Sequence, residues 1–474
     1  MVFSSILFLF YFLPLFILVY YLADKRFKNA VILCGSIVFY AWGAPVFIFV
    51  LLTTTIVDFY MVRLMAAQPP GRRRIALMCV SLCINLGLLI YFKYSNFFVE
   101  NINLLLSQFG VKELIWTKLV LPIGISFYTF ETITYVVDVY RGIHKPLRNF
   151  WDYQLYIILF PKLIAGPIIR FHDFADQIYD HTEFETPDNR LQGLYRFFIG
   201  LGKKVLFANV MGASADLIFA LPHEQLGTVT AWAGALSYAF HIYFDFSGYS
   251  DMAIGLGLMM GFRFPENFNN PYTAVSITDF WRRWHMTLGN WMRTYLYIPL
   301  GGNRVKTKWR LYLNLWLVFL ASGLWHGAAW GFVIWGAYHG FFLVMERLFL
   351  GKWLARMGKA AVIYTFPVVL VGWVFFKAER LNVSLSYLQR MFTWHMATGA
   401  WRPDKEYLTF LVIASFFSFF TIPELGKKLQ QKVFYNNHSI KMHFAMATIV
   451  LLLCFISAGR ITTSSFNPFI YFRF

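Results

Sequence analysis

The chain has 474 residues, of which 58% are hydrophobic, 20% aromatic and only 14% charged. Soluble domains carry about 25% charged residues, so this composition excludes an ordinary soluble protein and indicates a polytopic membrane protein. The formal net charge is +18, but the cations fall in short loops between apolar runs, which indicates membrane topology and argues against nucleic-acid binding.

Long apolar runs recur along the chain, and most are long enough, or nearly so, to cross a bilayer. The first run has no basic segment before it and no small-residue cleavage site after it, so we interpret it as a retained span. The run 311–349 is long enough for two segments. About ten or eleven transmembrane helices are predicted, and the fold class is an all-α helical membrane bundle. The runs lie at 5–23, 29–44, 46–66, 76–95, 119–138, 151–169, 196–220, 229–246, 311–349, 360–376, 407–423 and 442–459.

Four groups of basic residues predict how the chain is oriented, because cytoplasmic loops are enriched in Lys and Arg. With all four groups in the cytoplasm, the N-terminus is extracytoplasmic and the last span runs outward. The tail at 459–474 then also lies outside or within the outer leaflet. An additional role for some of these cations is to attract an anionic donor such as a coenzyme A thioester. The groups are Lys25, Arg26 and Lys28; Arg72, Arg73 and Arg74; Arg141, Lys145 and Arg148; and Lys427, Lys428, Lys432 and Lys441.

Asp245 and Asp251 lie in or beside an apolar run. Acids at membrane depth usually pair with a cation or cap a helix. Asp251 precedes a glycine-rich run that includes Gly255, which favours helix capping or close packing. Asp245 is retained as a candidate substrate-binding residue.

The segment 261–310 differs from the rest of the chain. It is rich in Pro and Asn from Pro265 to Tyr272, and then aromatic and basic up to Arg310. Irregular backbone at membrane depth is allowed only where protein or a cavity satisfies it. We therefore predict re-entrant or amphipathic helices packed into the cytoplasmic side of the bundle. No internal repeat or large soluble region is evident, so residues 1–474 are predicted to form a single transmembrane domain.

His285 ends the first of two histidine motifs, Trp281-Arg282-Arg283-Trp284-His285. On a helix, Trp281 and His285 would share a face, and Asp279 and Arg283 would form an i, i+4 ion pair. Trp281, Arg282 and Trp284 are candidate substrate-binding residues, since a guanidinium and an indole suit a phosphate and an adenine. Alternatively, this run is an interfacial amphipathic helix.

His326 lies in the second motif, Gly323-Leu324-Trp325-His326-Gly327, inside an apolar run. An ionisable side chain at bilayer depth is costly, which makes it a functional candidate. Histidine is suited to proton transfer near neutral pH, so His326 is predicted to be a general base that activates a hydroxyl for attack on an acyl thioester. Trp325 would provide a flat apolar wall for the substrate. The alternative is a structural histidine that bonds a neighbouring helix.

The tail ends in Phe469-Ile470-Tyr471-Phe472-Arg473-Phe474. One interpretation is an aromatic interfacial anchor. The other is that Tyr471 inserts into the bundle as an acyl acceptor, with His326 as its base.

Other enzyme classes leave no pattern in the sequence. No P-loop, GxSxG or HExxH motif occurs, which argues against an ATPase, a serine hydrolase and a zinc protease. The four cysteines lie in apolar stretches without a ligand pattern and are interpreted as small buried residues. We predict no metal site and no tightly bound cofactor. The cysteines are Cys34, Cys79, Cys83 and Cys454.

In combination, these motifs resemble the membrane-bound O-acyltransferase (MBOAT) family, and most closely its bacterial alginate O-acetyltransferase (AlgI-like) branch. The similarity extends over nearly the whole chain. The matching stretches are Leu121 to Tyr128, Ala165 to Pro167, Tyr243 to Ala253, Asn267-Phe268 with Pro271-Tyr272, Phe280 to His285, Leu300 to Arg304, and Gly323 to Gly327.

The resemblance implies a helical bundle around a central funnel, with His326 as the catalytic histidine at its narrow point and His285 as the second polar position. It also implies transfer from a cytoplasmic thioester to an extracytoplasmic acceptor, with a periplasmic SGNH-type esterase-like partner. The tail is similar to the Phe-x-Tyr-x-x-Phe pattern of a small partner in the D-alanylation system, here fused to the enzyme. By that resemblance Tyr471 would carry the acyl group transiently.

These observations predict an acyl-CoA-dependent O-acetyltransferase of the bacterial inner membrane. Acetyl-CoA would dock with help from Arg282 and Arg304, and His285 would orient or polarise its thioester. The acceptor would be an exported or cell-surface polysaccharide related to alginate, peptidoglycan or cellulose. Two alternatives remain open: transfer of a different acyl group, and a transporter or export subunit without covalent chemistry.

Overall fold

The computed structural model describes residues 1–397, 401–435, 438–463 and 468–470. Within these ranges the chain forms α-helices, joined in places by π-helical and 3₁₀ turns, and contains no strand. The predicted all-α class is confirmed. The chain divides into two compact units, Met1–Glu183 and Phe184–Phe474.

The first unit contains buried polar groups as well as aromatic rings. Its helices are α1 (Leu13–Leu22), α2 (Lys28–Gly43), α3 (Phe47–Ala67), α4 (Arg72–Gln108), α5 (Ile125–Tyr140), α6 (Phe150–Ile158), α7 (Phe160–Leu163) and α8 (Phe171–Tyr179). Asp58 on α3 accepts hydrogen bonds from Ser81 and Asn85 on α4, and Glu131 on α5 pairs with Lys162 on α7. Each buried charge therefore has a polar partner, as a low-dielectric interior requires.

The second unit contains both predicted histidine motifs. Its helices are α9 (Pro187–Gly202), α10 (Asn209–Phe219), α11 (Thr228–Met259), α12 (Ile277–Arg283), α13 (Met286–Trp291), α14 (Lys308–His326), α15 (Trp330–Met345), α16 (Gly351–Met357), α17 (Val362–Ala378), α18 (Leu381–Phe392), α19 (Lys405–Phe419), α20 (Glu424–Phe434) and α21 (Ile440–Thr463). A π-helical stretch, Lys203–Ala208, joins α9 to α10.

Four stretches of the described chain are long and apolar enough to cross a membrane: Phe47–Ala67, Arg72–Gln108, Trp330–Ala378 and Ile440–Thr463. Helices α19 and α20, which meet at a 90° bend, make a fifth if they count as one span. The other predicted runs are shorter, more polar or broken into several helices. Polar helices can lie at membrane depth where neighbouring helices satisfy them.

Three helices are longer than the apolar runs that predicted them. One is α21, which has 24 residues and contains the run 442–459. The run 76–95 lies within α4, which has 37 residues, and the run 229–246 lies within α11, which has 32. The run 311–349 contains two helices, α14 and α15, as predicted. The cysteine prediction was wrong, because Cys34, Cys79 and Cys83 are exposed and Cys454 is half-buried. In a membrane protein a small apolar side chain can face the outside of the bundle.

Reciprocal glycine contacts pack α9 against α11. A Cβ on Gly200 would lie 2.5 Å from the Gly248 carbonyl oxygen, and one on Gly193 would lie 2.6 Å from that of Gly255. The two helix backbones therefore touch, as small residues allow in membrane bundles. This contact brings the basic residues of α9 and of the following π-helical stretch next to the acidic residues of α11.

The segment 261–310 is built from short helices, as predicted. A 3₁₀ turn at Pro271–Thr273 is followed by α12, α13 and a π-helical stretch, Met292–Tyr297. Its placement on the cytoplasmic side stays a prediction.

Candidate active site

His326 is the last residue of α14, which begins at Lys308. The N-cap residue is Thr307, whose side chain accepts a hydrogen bond from the Arg310 amide. The glycines around His326 permit close packing. A Cβ on Gly323 would lie 2.3 Å from the Phe332 carbonyl oxygen, and one on Gly327 would lie 2.1 Å from the Phe332 ring. The Gly-Leu-Trp-His-Gly motif therefore holds the end of α14 against the start of α15, with His326 buried between them.

Aromatic rings form the walls around His326. The ring centroids of Trp325, Trp335 and Phe376 lie 4.9, 5.1 and 5.1 Å from that of the imidazole. Such walls exclude water, so a proton-transfer group here works in a medium of low dielectric constant.

His285 does not lie on a helix, contrary to the prediction that it shares a helical face with Trp281. Helix α12 ends at Arg283, and His285 has φ +45°, in the left-handed region, immediately before α13. The predicted i, i+4 pair on α12 is present, with Arg283 Nε donating to Asp279 Oδ1 at 2.9 Å. Residues 280–283 thus end a short helix, and a sharp change of direction follows at His285, which is buried.

Asn267 holds His285 in this conformation. The Asn267 side-chain oxygen lies 3.0 Å from His285 Nδ1, and it also accepts from Thr287 Oγ1 at 2.9 Å. The Asn267 side-chain nitrogen donates to Ser250 Oγ at 3.0 Å, and the Asn267 carbonyl accepts from the Met286 amide at 2.9 Å. Because an amide oxygen only accepts, His285 Nδ1 carries a hydrogen. In the neutral ring, Nε2 is therefore the basic nitrogen.

Trp325 contacts both predicted histidines. Its ring centroid lies 6.0 Å from that of His285 and 4.9 Å from that of His326. All three side chains are buried. The structure thus brings His285 and His326, which lie 41 residues apart in the sequence, into contact with one indole.

A third buried histidine, His339 on α15, was missed by the sequence analysis. Its ring centroid lies 4.9 Å from that of Trp281 and 5.2 Å from that of Trp335, and Trp335 also contacts His326. The signal was available, because His339 lies in the same apolar run, 311–349, as His326. The absence of a flanking motif is the reason that it was not singled out.

The remaining candidates of the first motif lie in different surroundings. Arg282 and Arg304 are exposed, and Trp281 is half-buried. Trp284 is buried, with the rings of Phe268, Phe280 and Trp373 within 6 Å of its own. These contacts make Trp284 part of the aromatic core, and its predicted role in substrate binding stays a prediction.

A cavity of about 420 Å³ adjoins Asn267. Most of its wall is apolar, and it includes side chains of α11, α19, α20 and α21. An ion network forms its polar end. Asp251 accepts from Arg196 at 3.0 Å and from Lys203 at 2.6 Å, and Arg196 also donates to Glu266 at 2.5 Å. Asp251 lies within α11, so the helix-capping prediction was wrong, whereas close packing holds for Gly255.

Asp245 binds the chain's own tail, and its predicted role in substrate binding stays a prediction. It pairs with Lys204 at 2.6 Å and accepts from the Ile470 amide at 2.8 Å. Tyr471 lies outside the described residues. Among those described, no group of three or more His, Cys, Asp or Glu side chains is arranged to hold a metal ion.

Comparison with known proteins identifies the family to which this arrangement belongs. The sequence model of MBOAT, the membrane-bound O-acyltransferase family, matches residues 144–388, a range that includes His285 and His326. The chain belongs to this family. It is an O-acyltransferase, and the MBOAT resemblance drawn from the motifs is confirmed.

Relatives of this MBOAT protein act on several cell-surface polymers, by their names. It is 41% identical to the probable alginate O-acetylase AlgI of Pseudomonas putida over the full length of both chains. It is 38% identical to the peptidoglycan O-acetyltransferase of Helicobacter pylori, over 82% of this chain and 80% of the relative. It is 30% identical to the teichoic acid D-alanyltransferase of Bacillus subtilis, over 54% of this chain and 69% of the relative.

Proposed function

We propose that this membrane O-acyltransferase moves an acetyl group from cytoplasmic acetyl-CoA to an exported or cell-surface polysaccharide. The observation that carries the proposal is the contact of two buried histidines with one tryptophan in a water-excluding site. The names of the relatives with high coverage, an alginate O-acetylase and a peptidoglycan O-acetyltransferase, support acetyl as the group and a polysaccharide as the final acceptor.

His326 acts as the general base. It takes the proton from the acceptor hydroxyl as the hydroxyl oxygen attacks the carbonyl carbon of the thioester. The carbon–sulfur bond then breaks, and the departing thiolate receives that proton from His326. The products are an O-acetyl ester and free coenzyme A, so the transfer consumes no net proton.

His285 orients the donor. With the hydrogen on Nδ1 directed to Asn267, the neutral ring presents a lone pair at Nε2, which can accept a hydrogen bond from an amide of the pantetheine arm. Polarisation of the thioester carbonyl requires a hydrogen on Nε2 as well, and therefore the imidazolium form. Trp325 contacts both imidazoles and provides the flat wall for the acyl group.

The donor enters from the cytoplasm, where cations attract its phosphates. Arg282 and Arg304 are exposed, and guanidinium groups bind phosphate oxygens in bidentate geometry. Trp281 contributes to the wall beside Trp335. Trp284 is assigned to packing, because neighbouring rings surround it.

The acetyl group leaves on the extracytoplasmic side. We assign the role of transient carrier to Tyr471, from which a periplasmic SGNH-type partner would receive the group. This direction requires the bacterial inner membrane with both termini outside, as the basic loops predict.

The test is the intact mass of the purified protein after incubation with labelled acetyl-CoA, together with coenzyme A release, for the natural protein, His326→Gln and Tyr471→Phe. We expect an acetyl adduct that both substitutions abolish. If coenzyme A release depends on His326 but no acetyl adduct forms on the protein, this result would contradict the carrier role of Tyr471 and indicate direct transfer. Release at the natural rate in His326→Gln would contradict the base assignment, and no release at all would favour a transporter.

The same assay distinguishes the acyl group. The 30% identity to a teichoic acid D-alanyltransferase makes D-alanyl the competing group. We expect labelled acetyl-CoA to give the adduct. An adduct that forms only from a D-alanyl thioester would overturn the acetyl assignment and leave the base assignment intact.

A further inference from the structure

A short stretch of the C-terminal tail is bound inside the second unit. Of the tail residues after helix α21, which ends at Thr463, the structure describes 468–470, and Phe469 and Ile470 are only 1% and 4% exposed. A tail that served only as an interfacial anchor would lie against lipid at the outside of the bundle. The burial of this stretch indicates a receptor site within the protein.

The receptor consists of a buried ion pair, Lys204 and Asp245, which are 0% and 1% exposed at their side chains. One Asp245 oxygen accepts from Lys204 at 2.6 Å, and the other accepts from the Ile470 amide at 2.8 Å. The Lys204 ammonium also donates to the Pro468 carbonyl at 3.2 Å. Each member of the pair therefore binds its partner and one backbone group of the tail.

An aromatic contact completes the site. The Lys204 ammonium lies 4.8 Å from the centroid of the Phe469 ring, within the range of a cation–π interaction. The Phe469 ring meets Tyr249 on α11 edge to face at 5.0 Å. The site thus recognises a backbone carbonyl, an aromatic side chain and a backbone amide on three consecutive residues.

An adjacent ion pair has other partners among the described residues. Lys203 pairs with Asp251, six residues from Asp245 on α11, and Asp251 is shared with Arg196. The π-helical stretch sends the consecutive lysines to different aspartates, and π-helical insertions are frequent at functional sites. The Lys203–Asp251 pair completes the ion network at the cavity. In the Lys204–Asp245 pair, one carboxylate oxygen and one ammonium hydrogen bind the tail. Without the tail, these two groups would be buried without those partners, which is unfavourable.

We propose that Lys204 and Asp245 form a peptide-binding site whose occupant is the chain's own C-terminal segment, and that they are positioning residues for the acceptor Tyr471. The positioning role rests on the proposed function of Tyr471, whereas the binding site does not. Tyr471 follows Ile470 in the sequence, so the bond from Asp245 to the Ile470 amide fixes the point from which Tyr471 extends.

Hydrogen exchange of the full-length protein in lipid nanodiscs tests the binding site directly. The C-terminal peptide is compared in the natural protein, Lys204→Met, Asp245→Leu and the control Lys203→Met, which alters the neighbouring pair. We expect exchange in this peptide to rise about tenfold or more when the site is broken, because amide protection is lost with local release, and to stay unchanged in the control. Natural protection in both Lys204→Met and Asp245→Leu would overturn the site.

Phe469→Ala is a second test in case Lys204→Met or Asp245→Leu fails to fold, because it leaves the buried ion pair intact. We expect it to raise exchange in the same peptide several-fold by removing the ring contacts. Unchanged exchange in Phe469→Ala would overturn the recognition of an aromatic residue.

Insertion of one glycine between Ile470 and Tyr471 tests positioning. The binding site keeps its three residues, so hydrogen exchange at 468–470 should equal that of the natural protein. The acetyl adduct at Tyr471 should fall at least tenfold, because the insertion displaces the tyrosine by about 3.8 Å along the chain. Natural adduct formation with the insertion would overturn the positioning role. Tail release without any change in acetyl transfer would support the binding site and contradict the carrier role of Tyr471.

Discussion

The histidine site and the ion network of the second unit are both buried, yet they satisfy their polar groups in opposite ways. Arg196, Lys203, Asp251 and Glu266 bond to one another with distances of 2.5 to 3.0 Å. His285 and His326 lie mainly among aromatic rings, and the side chain that orients His285 is a neutral amide, Asn267. The difference lies in charge. A buried charge must be paired, whereas a neutral imidazole can be buried beside rings and stay available to take up a proton.

In the proposed function, the histidine site carries the chemistry, and the ion network contributes stability. A group that is held in an ion pair is poorly suited to exchange protons during a reaction, because the pairing stabilises one protonation state. The two regions are linked through the loop 266–270, since Glu266 belongs to the ion network and Asn267 holds His285. Substitutions in the two regions should therefore affect different measured quantities.

The largest effect is expected for His326→Gln, which keeps the approximate size of the side chain and removes the base. Coenzyme A release should fall by about 10²- to 10⁴-fold, with little change in the midpoint of thermal unfolding. The matched control is His339→Gln, an equally buried histidine beside the same Trp335, which should retain the rate within about tenfold. Equal losses in both variants would show that buried histidines here act through packing.

Asp251→Ala should break the ion network and leave its cations buried with reduced compensation. We expect the free energy of unfolding to fall by about 3–5 kcal/mol, measured as a lower midpoint of unfolding in detergent. Asp279→Ala removes a half-exposed i, i+4 partner of Arg283 and should lower the free energy of unfolding by no more than about 0.5 kcal/mol. A small effect of Asp251→Ala would mean that the network contributes little to stability.

Asn267→Ala should test how far the histidine site depends on the hydrogen bond between the Asn267 side chain and His285. Loss of the bond to Nδ1 frees the orientation and tautomer of His285, and we expect acetyl transfer to fall about 10- to 100-fold, as for other supporting hydrogen bonds. Asn270→Ala is the control, because Asn270 lies on the same loop but bonds to Gln430 on α20. The interpretation fails if Asn270→Ala lowers the rate as much as Asn267→Ala.

The smallest effect is expected at His172 in the first unit, where an imidazole is paired with a carboxylate. The bond to Asp138 raises the pKa of His172 above its ordinary value of 6.5. A raised pKa stabilises the fold at low pH, and this contribution is lost as the pH rises through the folded pKa. The unfolding midpoint should fall between about pH 6 and pH 9 by more in the natural protein than in His172→Gln. Parallel curves would show that the pair contributes nothing.

Local signals predicted the fold class, the division of 311–349 into two helices and both histidines. Each depends on composition or on a short motif such as Gly-Leu-Trp-His-Gly, whose glycines and histidine all lie at the contact between α14 and α15. The break at His285 was not predictable, because the helix is ended by Asn267, 18 residues earlier in the chain. The partner of Asp245 is more distant still, since Lys204 and Ile470 reach it only after α9 and α11 have packed. Side-chain pairing across the bundle is a tertiary property that spacing alone does not carry.

The left-handed backbone of His285 has a consequence for the resilience of the protein. An L-residue in this region costs on the order of 1–2 kcal/mol relative to its preferred conformations, whereas glycine adopts it readily. The fold would thus gain backbone stability from glycine at a position where the proposed reaction needs an imidazole. Selection for thermal tolerance would favour glycine at this position, whereas selection for turnover would favour histidine. A search for heat-stable variants is therefore expected to find His285→Gly among the variants with the lowest activity.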